Sequence, residues 1–121
     1  MNGLGLLLCM IFCHIVDDYY LQGWLAEAKQ KSYWQTYFDM YKYDYIWALI
    51  MHSFSWSFMI MLPIMIMYEF TVSGLFAALF IANMIVHGFV DDLKANKRKI
   101  NLWQDQIIHM LQIIITFAVL G

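Results

Sequence analysis

The 121-residue chain has few charges and few residues that break regular structure. Charged residues make up 13%, roughly half the share of a typical globular domain. One Pro and six Gly argue against a disordered or low-complexity chain. Basic residues do not outnumber acidic ones (7 against 9), which argues against a nucleic-acid binder driven by net charge. Cys9 and Cys13 are the only cysteines. Four residues apart on a helix is poor disulfide geometry, so both read as packing residues. The N-terminus has no basic stretch and no small-residue cleavage site, so a removable signal peptide is not expected. No G-x-S-x-G and no Ser/His/Asp arrangement is present, and Ser53, Ser55 and Ser57 read as helix-packing residues.

Apolar residues are abundant, with 63% hydrophobic, 18% aromatic and ten Met. The length allows one domain, residues 1–121. Four apolar segments stand out, Leu4–Gly23, Tyr45–Met67, Val72–Val90 and Ile100–Leu120. Each is near the ~20 residues that cross a bilayer as a helix, and none alternates with the period of a strand. The predicted class is therefore all-α, with four transmembrane helices in a small bundle. The short polar turn from Tyr68 to Ser73 makes the second and third spans a helical hairpin. In the connection over residues 25–44, Trp34, Tyr37, Phe38 and Tyr41 recur at i, i+3, i+4 and i+7. That spacing predicts an amphipathic helix lying in the membrane interface.

All seven basic residues fall in two connections, Lys29, Lys31 and Lys42 in one and Lys94, Lys97, Arg98 and Lys99 in the other. The positive-inside rule then predicts an integral membrane protein with both termini outside the cytoplasm.

Acids inside a membrane helix are costly, from roughly 2.5–3.5 kcal/mol each at the bilayer centre. Here they come with histidine at helical spacing. His14 and Asp18, His87 and Asp91, and Asp105 and His109 are i, i+4 pairs, and His52 stands on the second span. Each pair shares one helix face. The first and third spans exit into the basic side soon after their pairs, and the second and fourth enter from it soon before theirs. Four helices thus contribute at one depth. Imidazole with carboxylate suits a divalent transition metal, zinc first, with iron or manganese as alternatives. The expected ligands are His14, Asp18, His52, His87, Asp91, Asp105 and His109, holding one or two ions, and the ligand count favours two. Gln22, Asn83, Gln106 and Gln112 lie on the same stripes and are expected to hold the ligands. Asp17 is expected to move protons and Lys94 to hold an anionic substrate group. Asp92 and Cys13 point about 100° away from the site faces and are left out.

The series His14-x3-Asp18-Tyr19-x-Leu21-Gln22, then Trp24, Lys29 and His52, then His87-x3-Asp91-x2-Lys94 and Asp105-Gln106-x2-His109, resembles an uncharacterised family of phage and bacterial membrane proteins. That family is domain-of-unknown-function family thirty-three-oh-seven. The likeness covers nearly the whole chain and implies a phage or bacterial origin, hence the host's inner membrane if phage-encoded. It implies no particular reaction. The stretch from Gln22 to Lys29 is slightly compressed relative to the family pattern, which bears on loop contacts alone. A weaker likeness, in residue types and topology, links the chain to membrane-bound metal-dependent hydrolases, by analogy only.

The expectation is a metal-dependent hydrolase or phosphotransferase at the cytoplasmic leaflet, acting on a lipid headgroup or another phosphate-bearing substrate. A divalent-cation transporter or channel is the alternative, and a non-enzymatic phage membrane factor is a third. Membrane lipids are the expected partners, nucleic acid is not, and so thin a bundle is compatible with a homodimer.

Overall fold

In the computed structural model residues 2–121 are described, and among them there is no strand. Four helices are long and apolar enough to cross a membrane: Gly3–Leu21, Asp39–Met67, Gly74–Ala95 and Leu102–Leu120, the first two including their non-α turns. The α-helical parts are α1 (Gly3–Ile15), α4 (Asp44–Met67), α5 (Gly74–Ala95) and α6 (Leu102–Leu120), with α2 (Leu25–Ala28) and α3 (Lys31–Trp34) between α1 and α4. Such a set is compatible with an integral membrane protein.

Polar side chains start the long helices. Asn2 accepts a hydrogen bond from the Gly5 amide, and Ser73 accepts one from the Phe76 amide. Asn101 and Gln104 form a reciprocal capping box at 2.9 Å in both directions. The α4–α5 turn closes through Glu69 and Phe70, both in the left-handed region, with the Phe70 amide bonded to the Met65 carbonyl. Gly88 lets α5 lie close against α4, since a Cβ there would stand 2.8 Å from Ser53 Oγ.

The polarity of a water-soluble domain is reversed. Large apolar side chains such as Leu8, Phe12, Ile81, Ile85, Phe89, Ile107 and Ile115 are exposed, while His, Asp, Ser, Asn and Gln are buried. That arrangement suits a bundle solvated by acyl chains. Two buried layers result. Leu6, Met10, Trp56, Ile60, Met61, Ile64, Phe76 and Ile113 form a hydrophobic core. The polar layer lies towards the end where α1 and α5 finish and α4 and α6 begin, here termed the loop end.

The connection between α1 and α4 differs from expectation. In place of one amphipathic interfacial helix over 25–44, it holds α2, α3 and a 3-10 turn at Asp39–Tyr41. The cause is Asn96 at the end of α5. Its side chain donates to the Lys29 carbonyl at 2.9 Å and accepts from the Lys31 amide at 2.6 Å. Both backbone groups are thereby taken from a continuous helix. Gln30 and Phe38 adopt extended backbone at the two breaks. Trp34, Tyr37 and Tyr41 still cluster, but Phe38, placed on the same stripe by its spacing, is 80% exposed.

Candidate functional site

The first span does not stay α-helical. Val16–Leu21 winds as a π-helix. The wider turn brings two adjacent acids inward, although neighbours on an α-helix point about 100° apart. Asp17 and Asp18 both face His52 on α4. Asp18 Oδ1 lies 3.2 Å from His52 Nε2, and Asp17 Oδ2 lies 3.8 Å from His52 Nδ1. Asp17 also accepts a 2.5 Å hydrogen bond from Ser55. Asp91 stands at the centre. Its Oδ2 is 3.4 Å from His52 Nε2 and 3.5 Å from His87 Nε2, and its Oδ1 is 3.4 Å from His109 Nε2. Asp105 Oδ1 completes the set, 3.2 Å from His109 Nε2.

Three groups offer ligand atoms that lie within 4.8 Å of one another: Asp18 with His52 and His87; His87 with Asp91 and His109; and Asp18 with Asp105 and His109. Six of the seven expected ligands thus converge from four spans. His14, the seventh, stands apart, and both of its ring nitrogens are engaged. Trp56 Nε1 donates to its Nδ1 at 2.8 Å. An indole N–H only donates, so His14 carries its proton on Nε2. That proton goes to Gln106 Oε1 at 2.9 Å, which turns the Gln106 amide nitrogen onto Asp18 Oδ2 (3.0 Å) and Asp105 Oδ2 (2.9 Å). His14 therefore fixes two carboxylates through Gln106 and does not face the ligand cluster.

A second relay fixes His109. Thr116 donates to the Gln112 carbonyl, Asn83 donates to Thr116 Oγ1, and Gln112 donates to Asn83 Oδ1. Gln112 Oε1 is then free to accept from His109 Nδ1 at 3.1 Å. The lone pair of His109 is left on Nε2, facing Asp91 and Asp105. His87 is held by stacking, with ring centroids 4.2 Å from Trp56 and 4.1 Å from His109. Gln22 reaches none of these rings. Its amide nitrogen returns to the Asp18 carbonyl, within its own turn.

Two ammonium groups enter the layer. Lys29, assigned from sequence only to a basic connection, is buried and pairs with Asp91 Oδ2 at 2.9 Å. Lys94 Nζ lies 3.4 Å from Asp105 Oδ2 and keeps about a third of its side chain exposed. Lys97 pairs with Asp92, well outside the cluster.

In this layer both ring nitrogens of His87, His109 Nε2, Asp105 Oδ1 and Asp17 Oδ2 are buried without a hydrogen-bond partner. Orphaned buried polar atoms are costly, at about 1–3 kcal/mol each. A neutral imidazole has one lone-pair nitrogen, so His87 and His109 supply one electron-pair donor each beside the carboxylate oxygens; a divalent cation satisfies such a set, so the residues present fit a metal.

Sequence reasoning missed Lys29, Ser55, Trp56 and Thr116. Helix arithmetic held the signal for three of them. Ser55 and Trp56 are i+3 and i+4 from His52, and Thr116 is i+4 from Gln112. Lys29 stands in the motif series, but spacing gave no sign of its partner, which lies 62 positions away. Comparison with family models, curated proteins and solved structures gives no match for this chain. The family resemblance therefore rests on the motif series alone.

Proposed function

We propose that the protein is a membrane-embedded, metal-dependent hydrolase or phosphotransferase with a two-ion His/Asp site at the loop end. The observation that carries this reading is the convergence of buried, partnerless donor atoms from separate helices. Of the three pairs that these ligand groups form, two share an imidazole, and the third shares only Asp18. Asp18 has two oxygens and can serve two ions at once, as one imidazole nitrogen cannot. The pair sharing Asp18 therefore suits two ions best: Asp18, His52 and His87 would hold one, and Asp18, Asp105 and His109 would hold the other. Asp91, with one oxygen towards His52 and His87 and the other towards His109, could serve both. Zinc suits this ligand set, with iron or manganese as alternatives.

Charge supports a phosphate substrate. The layer holds four carboxylates (Asp17, Asp18, Asp91 and Asp105) and two ammonium groups (Lys29 and Lys94), which leaves two negative charges if the imidazoles are neutral. Two divalent ions turn that excess into a positive one, which a phosphate group offsets. Bound ions supply Lewis acidity, polarising a phosphoryl oxygen and making water a competent nucleophile near neutral pH. Asp17, outside the ligand groups and braced by Ser55, accepts or returns a proton. The partly exposed Lys94 holds the anionic end of the substrate, and Gln106 fixes Asp18 and Asp105 in place.

The seven basic residues of the two loop-end connections support a cytoplasmic loop end and external termini. The substrate is then a lipid headgroup or another phosphate ester at the inner leaflet, and the motif resemblance adds a phage or bacterial setting. A transport path across the bundle is disfavoured by the hydrophobic core beyond the polar layer. The test is phosphate release from phosphatidic acid and from a soluble phosphomonoester by zinc-loaded protein. Activity lost in Asp18→Asn and Asp105→Asn supports the reading. Zinc flux into proteoliposomes without any phosphate release refutes it.

A further inference from the structure

A second concavity lies at the loop end, on the outside of the bundle and separate from the His/Asp layer. It measures about 340 Å³, and Trp24, Trp34, Trp47, Met51 and Asp44 line it. Three of the five tryptophans of the chain therefore face one small space. Two are held rigidly. Trp24 Nε1 donates to the Tyr33 hydroxyl at 3.0 Å, and Trp34 Nε1 donates to the Ala28 carbonyl at 2.8 Å. Their rings stand at 84° with centroids 6.0 Å apart, so they form two perpendicular walls. Trp47 rises from the first turns of α4, three residues after Asp44 and on the same helix face.

Asp44 brings the only formal charge to the lining, and no ion pair forms with it among the described residues. The nearest lysines in sequence do not fill the space. Lys42 rests over the Tyr43 ring and Lys31 over the Tyr45 ring, each at 5.2 Å. Tyr43 and Tyr45 flank Asp44. The lining thus carries one carboxylate among aromatic rings, and the ring on either side of it in sequence holds an ammonium group.

We propose that this box binds the ammonium group of a zwitterionic phospholipid, with the lipid phosphate turned towards Lys31 and Lys42. Indole faces attract an alkylammonium through their quadrupole, better than any other side-chain ring. The carboxylate supplies the countercharge, and the polarizable Met51 thioether accommodates N-methyl or methylene groups. Trp24 and Trp47 remain more than half exposed, as expected of an aromatic belt at headgroup level. A lipid fits this position better than a soluble amine, because Phe54 and Phe58, two and three turns along α4 on the face of Trp47, are exposed as an apolar flank. The inference is independent of the metal reading, since none of the box residues is a ligand.

Native mass spectrometry of the full chain in maltoside detergent tests it, with equal amounts of dioleoyl phosphatidylethanolamine, phosphatidylcholine and phosphatidylglycerol. The wild type is expected to retain the two zwitterionic lipids about tenfold over phosphatidylglycerol, equivalent to ~1.4 kcal/mol. Asp44→Asn and Trp47→Leu, both at the surface, should reduce that preference to near parity, while Trp47→Phe keeps part of it. Equal retention of the three lipids by the wild type overturns the proposal, as does a preference that survives both Asp44→Asn and Trp47→Leu. A soluble arm uses glycerophosphoethanolamine as competitor. If it displaces the lipid only at large excess, the lipid is the ligand; if it binds as tightly as the lipid, the lipid assignment falls.

Discussion

Removing the Lys29 ammonium leaves Asp91 without its closest counter-charge. The pair is 2.9 Å long, and its side chains are 6% and 1% exposed. At an effective dielectric of about 20, two unit charges at that distance attract by about 6 kcal/mol. Relaxation of the four-residue helix that ends just before Lys29 recovers part of the loss. A cost of about 3–5 kcal/mol is then expected for Lys29→Met in metal-free protein, as for other buried pairs broken on one side. For a chain of this size that lowers Tm by roughly 10 °C or more. Asp91→Asn alone should cost a similar amount, because it strands Lys29. The double variant Lys29→Met/Asp91→Asn should cost far less than the sum, with a coupling of at least ~2 kcal/mol. The assay is thermal unfolding of all four proteins in one detergent, with chelator present. Additive effects would show that the pair does not form and that Lys29 belongs to the connection, as its position in the sequence first implied.

Other consequences follow from single contacts. His87→Ala should remove one of the two ions, whereas His14→Phe should weaken metal binding roughly 10- to 100-fold by releasing Gln106, as read by competition with a chromogenic chelator. Gln112→Leu removes the acceptor of His109 Nδ1 and should weaken affinity to a similar extent, with Asn83→Ala milder in the same assay. Asn96→Ala should free the chain at Lys29–Lys31, costing about 1–2 kcal/mol and speeding proteolysis there; an unchanged cleavage rate would contradict the account of the broken connection. Gly88→Ala places a methyl 2.8 Å from Ser53 Oγ and should cost about 1–3 kcal/mol. Adding Ser53→Ala should restore most of it, because the nearest remaining atom is then Ser53 Cβ at 3.7 Å.

Periodicity and length made much of this structure legible. The spans read from hydropathy match the helices except near their ends: Tyr45–Met67 against Asp44–Met67, and Val72–Val90 against Gly74–Ala95. The convergence of His52, His87, Asp91, Asp105, His109 and Asp18 follows from i, i+4 spacing and a common depth, and Asp92 lies outside the cluster as its rotation implied. The remainder was hidden for two physical reasons. Helix-face arithmetic assumes 3.6 residues per turn, and the π turn at Val16–Leu21 breaks that assumption where Asp17 and Asp18 turn inward. Spacing also places a residue on a face without naming its partner. His14 sits on the correct face but is claimed by Trp56 and Gln106. The aromatic stripe from Trp34 to Tyr41 carries a helical signal that Asn96, from another helix, overrides.

The central claim is that cations make this buried layer of imidazoles and carboxylates stable. Elemental analysis of protein purified in detergent tests it most directly, by counting transition-metal ions per chain in wild type, Asp18→Asn and Asp91→Asn. About two ions are expected in the wild type, falling to about one or fewer when either bridging carboxylate is lost. A wild-type protein that holds no ion and takes up none from zinc-containing buffer, or variants with undiminished metal, would contradict it.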